Sequence, residues 1–400
     1  MGTMDFLRAY QIRFPRGITF GLGTSEKVGE IARAYGAKKA LIVTDRFLGP
    51  IGIIEKISQT LSHAGIKPVA FDGVITEPTT QQAQEGLNVY RDENCDLLVG
   101  LGGGSCLDAA KGIAVLATSG GRLQDYEGRG KVKKTKAPLI AIPTTAGTGS
   151  EVSWSCVITD TERKVKFIVH SPQIIPEEAI EDPLLTLSMP PSITASTGMD
   201  ALTHAIEGFI SLREANLWYG PPSLIHYFAL PAIELISQNL RQAWANGKDI
   251  HARSNMMLGQ LLAGLTFANA GTTLAHGMAR PLGAYFHVPH GLANAIALPR
   301  TMEFTQVAAP DKFAQIARAM GEDLSNLSSL QAAHKAVESV KALCSDIQVP
   351  RLSDLGIKKE EYEKVIVQMA KDGLASGTPQ VNPRVPTEKE LIELFKLAYK

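Results

Sequence analysis

The chain has 400 residues, 44% of them hydrophobic, with Lys plus Arg and Asp plus Glu balanced at 40 each. That length accommodates two domains with full cores, and a formal net charge of zero leaves no electrostatic footprint for nucleic acid or an anionic membrane. The four cysteines, Cys95, Cys106, Cys156 and Cys344, form no C-x-x-C pair, which argues against a disulfide framework or zinc ribbon and fits a reducing, cytoplasmic setting.

The opening stretch MGTMDFLRAYQIRFPRG lacks the apolar segment of a signal peptide, and Phe6 stands where a myristoylation motif needs Ser or Thr. No apolar run reaches membrane-spanning length. FGLGTSEKVGE (20–30) holds Gly21-x-Gly23, better read as a turn than as a nucleotide fingerprint. KKALIVTD (38–45) predicts a buried strand ending in an acid, Asp45. IIEKISQTLSHAG (53–65) has helical spacing, KPVAFDGV (67–74) reads as a strand, and TTQQAQEGLNVYRDEN (79–94) as a helix. CDLLVGLGGGS (95–105) and APLIAIPTTAGTGS (137–150) are strands that run into glycines. Alternating strands and helices predict a Rossmann-like α/β domain over 1–189 with a mostly parallel sheet. Such sheets bind ligands at the carboxyl ends of their strands.

Pro190 and Pro191 mark a boundary, and helical periodicity dominates 190–400. The expected architecture is therefore α/β plus all-α, and ligand sites often lie in the cleft between two such domains. Helical segments are read in ITASTGMDALTHAIEGFI, LIHYFALPAIELISQNLRQAW, ARSNMMLGQLLAGLTFANAG, DKFAQIARAM, SLQAAHKAVESVKAL and EKELIELFKLAY. The stretch through LLAGLTFANAGTTLAHGMAR is read as helical to Arg280, with Pro281 ending it. LREANLWYGPPSLIHYF (212–228) either packs the helical domain or lines a substrate entrance.

Two places carry chemistry. LLVGLGGGSCLDAAKGIAVL is a strand, a glycine turn and a helix, which suits a pyrophosphate at the helix N-terminus, or is a tight turn without a ligand. Ser105 and Asp108 have the spacing of a helix cap. Asp45 precedes the glycines, so this is not the usual dinucleotide order. Thr144, Thr145 and Thr148 either bond phosphate or ribose, or cap the next segment. The second place is GMDALTHAIEGF (198–209) together with HGMARPLGAYFHVPHG (276–291). Asp200 and His204, four apart, share a helix face. They form either an Asp–His pair or, with His276 and His290, a set of one oxygen and three nitrogen ligands. That set suits Fe²⁺, Zn²⁺, Co²⁺, Ni²⁺ or Mn²⁺.

GGGSCLDAAK, PTTAGTGSE, MDALTHAIEG, HGMARPLGAYFHVPHGLANAIALP and the late NPR (382–384) together resemble the iron-containing (group III) alcohol dehydrogenases over nearly the whole chain. The resemblance implies a dehydroquinate synthase-like fold, an N-terminal NAD(P) domain and a helical domain holding one divalent metal, with Fe²⁺ the leading candidate. It also implies a dimer or larger homo-oligomer. Carried over by position, Asp200, His204, His276 and His290 hold the metal. Gly103, Gly104 and Ser105 lie under the pyrophosphate. Thr144, Thr148, Lys166 and Leu185 contact the cofactor, and Asp45 accepts the adenosine ribose. A carboxylate there repels a 2′-phosphate, which implies NAD over NADP. The family usually has a histidine where this chain has Arg280. An arginine cannot relay a proton, so Arg280 either binds an anionic substrate tail or pairs with an acid, and His287 is a candidate substitute for the relay. The implied reaction interconverts a small alcohol and its aldehyde or ketone. A lyase of the dehydroquinate synthase type and a metal hydrolase are the alternatives.

Overall fold

The computed structural model describes residues 11–399 apart from 76, 164 and 214–221. The described residues divide into two compact units, one of residues 13–188 and one of residues 189–399 together with 11–12.

The first unit is built on β1 (Gly17–Phe20), β2 (Lys39–Val43), β3 (Lys67–Phe71), β4 (Leu97–Gly102), β6 (Leu139–Pro143) and β9 (Glu178–Glu181). They form a six-stranded sheet in the order β1-β9-β6-β4-β2-β3, and every pairing is parallel. The central strands read as continuous apolar runs because both faces are covered. On one face Ala40, Ile42, Leu97, Val99 and Leu101 pack with Ile57 and Leu61 of α2 (Ile53–His63). On the other, Leu41, Val43 and Leu98 pack with Leu87 of α3 (Thr80–Asp92) and Ile113 of α4 (Gly104–Ser119). Thr79 and Gln82 close a reciprocal capping box at the start of α3. Helix α1 (Val28–Ala34) and a small sheet of β5 (Gly128–Arg129), β7 (Ser155–Asp160) and β8 (Val165–His170) complete the unit.

The second unit is helical. Its elements are α5 (Pro191–Ile210), α6 (Pro222–Ala245), α7 (Ile250–Ala270), α8 (Leu274–Phe286), α9 (His290–Thr305), α10 (Pro310–Ala319), α11 (Ser329–Asp346), α12 (Lys359–Ala375) and α13 (Glu388–Tyr399). Pro191 occupies the first turn of α5, where its missing N–H costs nothing. From Gly198 to Ile210 every residue of α5 is buried, so it is the axis of this unit. Gly208 lets α7 approach: a Cβ there would lie 2.4 Å from Thr266 Cγ2.

The sequence reading departs from the structure around Pro281. The helix breaks earlier, at Gly271 (φ +75°), and α8 then runs through Pro281 to Phe286. Pro281 removes the donor for the Gly277 carbonyl four residues back. That oxygen faces α12, where a Cβ on Gly373 would lie 2.9 Å from it. Helices α9 and α12 were not among the expected segments.

Candidate metal centre and nucleotide cradle

Asp200 and His204 project from the same buried face of α5. His276 stands in the first turn of α8, and His290 is the first residue of α9. The turn at Gly271–Thr273 and the Pro289 entry bring these helix starts to the side of α5. Ligand atoms of Asp200, His276 and His290 all lie within 4.8 Å of one another. His276 Nε2 and His290 Nε2 are each 3.9 Å from Asp200 Oδ1, and His204 Nε2 is 3.0 Å from His276 Nε2.

The sequence reading did not single out two residues that organise this cluster. Asn294 sits one turn beyond His290. Its amide nitrogen lies 2.7 Å from Asp200 Oδ1, 3.2 Å from His276 Nε2 and 3.3 Å from His290 Nε2. Glu207 follows His204 by three positions and is 2% exposed. It accepts from the Thr273 and Ala275 backbone N–H groups, from the Thr273 hydroxyl, and from His276 Nδ1 at 2.6 Å. The carboxylate thus caps the start of α8 and fixes one imidazole at once. Burial raises the Glu207 carboxyl above its usual range, against the pull of Thr273 and Ala275. With four donors aimed at two acceptor oxygens, the ionised form is the one this pocket accommodates. The signal was the spacing Asp200, His204, Glu207, which keeps all three on one side of α5.

Burial, followed by the neighbouring His204 and His290, holds the His276 imidazole well below its ordinary pKa, so it is neutral near pH 7. With Nδ1–H given to Glu207, its Nε2 presents a lone pair to the cluster. Asp200 is 2% exposed, and among the described residues its one hydrogen-bond donor is Asn294. A buried carboxylate with a single neutral donor leaves its charge poorly compensated. Acceptor atoms from three helices converge there, and the donor set fits a divalent cation.

The other expected residues fall at the carboxyl ends of adjacent strands. Asp45 follows β2, the glycines follow β4, and Thr144–Thr148 follow β6. Asp45 Oδ1 accepts the Phe47 N–H at 2.8 Å, while Oδ2 faces Gly102 and the Cys106 thiol. Gly102 takes φ +144°, open to glycine but strained for other residues. A Cβ on Gly104 would lie 2.8 Å from Thr148 Cγ2, so this threonine is packed directly over the start of α4. Thr144 donates its backbone N–H to Gly102 at 3.0 Å, tying the β6 segment to the glycine turn. The start of α4 carries no side-chain cap. The expected Ser105–Asp108 cap is therefore wrong. Gly103 is the N-cap residue, Ser105 lies inside the helix, and Asp108 turns away to accept from Ser150 Oγ (2.6 Å) and the Val157 N–H (2.8 Å). The uncapped N–H groups remain available to an anion.

Lys166 lies on β8 and pairs with Glu77. Leu185 is buried in the apolar cluster that contains Leu101, Ile142 and Ile180. His287 is exposed and left-handed (φ 55°), capping the end of α8, and is not in the metal cluster. Arg280 is partly buried on α8, one turn after His276. Among the described residues it makes no ion pair, and Glu207 is the acid whose charge acts on it. The 212–228 stretch lies partly outside the described residues, and its expected role with it.

A family model for iron-containing alcohol dehydrogenases matches residues 15–183, and the model for the C-terminal region of that family matches 194–399. The 1,3-propanediol dehydrogenase of Citrobacter freundii is 42% identical over 395 residues, covering 98% of this chain and 99% of that protein. The NAD-dependent methanol dehydrogenase of Bacillus methanolicus is 38% identical over 385 residues, with 96% and 98% covered. A crystal structure of a 1,3-propanediol oxidoreductase superposes with a TM-score of 0.93 at 42% identity, covering 98% of this chain and 100% of that one. Such relatives do not favour the lyase and hydrolase alternatives. With both halves matched and its length covered, the chain belongs to the iron-containing alcohol dehydrogenase family, as a nicotinamide-dependent oxidoreductase that interconverts alcohols and aldehydes.

Proposed function

We propose that this enzyme uses NAD rather than NADP and one Fe²⁺ held by Asp200, His204, His276 and His290, with Zn²⁺, Co²⁺, Ni²⁺ and Mn²⁺ as possible replacements. The observation that carries this reading is the convergence of Asp200 Oδ1, His276 Nε2 and His290 Nε2 on the single amide nitrogen of Asn294. When bound, the ion supplies Lewis acidity toward the substrate oxygen and the nicotinamide takes or gives the hydride. The protein's own residues do the positioning. Glu207 keeps His276 in the tautomer whose Nε2 faces the cluster. Asp200 supplies the one anionic ligand. Gly103, Gly104 and Ser105 offer backbone N–H groups to a pyrophosphate, and Thr144 and Thr148 border the same turn. Asp45 is the proposed ribose acceptor, and its charge disfavours a 2′-phosphate. Lys166 and Leu185 are the remaining cofactor contacts, and the Glu77 pair must open for Lys166 to serve. Arg280 stays protonated at any ordinary pH and does not carry the substrate proton. His287, exposed at the end of α8, is the weakest member of the proposed set.

Small primary alcohols and aldehydes are the proposed substrates, given the propanediol and methanol dehydrogenases among the relatives. A homodimer is proposed as the smallest assembly. Among the described residues strand β1 is an edge of the sheet; Ile18 and Phe20 on it are 36% and 38% exposed, and Phe14 and Leu22, flanking it, are 39% and 57% exposed. An apolar, unpaired edge is a template for association. No helix among the described residues is long and apolar enough to cross a membrane, and the cysteines are free, which fits the proposed cytoplasmic setting.

The test is to strip the protein with a chelator, reload it with single metals and follow NADH formation from 1,3-propanediol. Turnover should return with one Fe²⁺ per chain, favour NAD⁺ over NADP⁺ by at least about tenfold through like-charge repulsion at Asp45, and reside in a species of at least twice 43.0 kDa. Full activity in the metal-free protein would remove the metal reading. Preference for NADP⁺ would remove the role of Asp45, and a monomer by light scattering would remove the dimer.

A further inference from the structure

Among the described residues, three buried cations are each held by named partners. Arg253 is 1% exposed, and its guanidinium donates to the Gly247 carbonyl (3.1 Å), the Thr194 hydroxyl (2.8 Å) and the Met189 carbonyl (3.1 Å). Lys111, at 0% exposure, donates to Ser150 Oγ (2.9 Å), Ser153 Oγ (3.1 Å) and the Ser155 carbonyl (2.7 Å). Lys136 pairs with Glu177. Arg280 breaks this pattern: it is partly buried, yet among the described residues its five N–H donors reach no acceptor. The acid whose field it feels is Glu207, but that carboxylate is already occupied by Thr273, Ala275 and His276. Arg213 adds a second positive charge that acts on Arg280, and its guanidinium packs against the turn at Gly271 that leads into α8. Positions 276 and 280 lie one turn apart on one helix face, with Cβ atoms about 5–6 Å apart.

We infer that Arg280 is a receptor for an oxyanion on the substrate, so that the enzyme's preferred substrates are short-chain aldehydes and alcohols ending in a carboxylate, sulfonate or phosphonate. This inference rests on the proposed metal-centred dehydrogenase. The substrate oxygen goes to the cluster around Asp200, and the far end of a short chain meets the guanidinium one helical turn along. A planar fork of N–H donors matches two oxygens of such a group, whereas a neutral alkyl or hydroxyl end gives the partly buried guanidinium no counter-charge. Burial, the main influence on Arg280, disfavours its charge. A substrate anion offsets that cost, which makes the gain specific to anionic substrates.

The experiment compares succinic semialdehyde, sulfoacetaldehyde and phosphonoacetaldehyde with butyraldehyde, using metal-reloaded wild type, Arg280→Ala and Arg280→Lys with NADH. The wild type should prefer the anionic aldehydes in kcat/KM. The anionic-to-neutral ratio should fall about 10- to 100-fold in Arg280→Ala, chiefly through KM, and less in Arg280→Lys. The order among the three anions identifies which head group the site takes. A ratio unchanged by Arg280→Ala overturns the inference. Calorimetric titration of metal-loaded protein with 3-hydroxypropane-1-sulfonate gives a readout without turnover. Binding should be seen in wild type and be at least about tenfold weaker in Arg280→Ala; no binding in wild type overturns the inference. If sulfonate binding depends on Arg280 but no aldehyde is reduced, the dehydrogenase reading fails while the anion receptor stands.

Discussion

The proposed nucleotide cradle and the proposed metal cluster are built by opposite means. The cradle is backbone: three neighbouring parallel strands end together, and glycines at 102–104 allow the chain to turn and α4 to start without a side-chain cap. The cluster is side chains: α5, α8 and α9 each contribute at least one imidazole or carboxylate, separated by up to 90 positions in sequence between Asp200 and His290. A backbone site is set once the local fold forms. A side-chain site also needs each ring held in the right tautomer and direction, so it depends on residues that never touch the ligand.

Glu207 is where that dependence is greatest. Replacing it with Gln keeps the shape but removes the charge and sets an N–H₂ group either against the Thr273 hydroxyl and Ala275 N–H or against the Thr273 N–H and His276 Nδ1. Metal affinity should fall about 10- to 100-fold, read by competition with a chromophoric chelator on the purified apo-protein. Nucleotide binding at the proposed glycine cradle should hold. A Glu207→Gln protein with wild-type metal affinity would mean that the cluster is organised as locally as the cradle, and the contrast would disappear.

The same contrast explains what was legible in the sequence. Strands β2, β4 and β6 are unbroken apolar runs and were read directly. Strands β1 and β9 have four residues each, and the latter begins and ends with Glu, so neither has the pattern of a buried strand. Helix α8 was misread because Pro281 is ordinarily a stop, and only the packing of Gly373 against α8 shows why the helix continues. Asp200 and His204 were visible through four-residue spacing. Asn294 was not, and Glu207 offered only its spacing from Asp200 and His204, because a buried Glu or Asn looks like any surface residue until the chain brings its partners to it. The cap assigned to Ser105 and Asp108 failed for a related reason. The acid had a better use in tying α4 to Ser150 and Val157, contacts 42 and 49 residues away.

The cradle can be broken with a single methyl group. Gly104→Ala puts a Cβ 2.8 Å from Thr148 Cγ2, so either the threonine or the start of α4 must move. Overpacking of this kind costs about 1–3 kcal/mol. If that strain is relieved by shifting the glycine turn, NAD⁺ affinity should drop about tenfold, measured by NADH fluorescence, with metal content unchanged. Weakened metal binding in Gly104→Ala instead would mean that the two sites do not fail independently.

The smallest effect separates the metal cluster from the helices that carry it. His226 on α6 packs against Phe209 of α5 with ring centroids 4.6 Å apart, and burial, helped by Lys312, lowers its pKa to about 4. An unfolded histidine titrates near 6.5. Between these values the unfolded chain holds a proton that the folded one refuses. The stabilising difference is therefore complete above about pH 6.5 and is lost as pH falls toward 4. Metal-free protein should lose about 1 kcal/mol between pH 7 and pH 5 from this group, allowing for its partial exposure. Urea melts of apo wild type and His226→Gln at the two pH values measure it, and the variant should show the shallower pH dependence. Identical slopes would assign the acid sensitivity of the helical unit to other groups, with the imidazoles around Asp200 the first to examine.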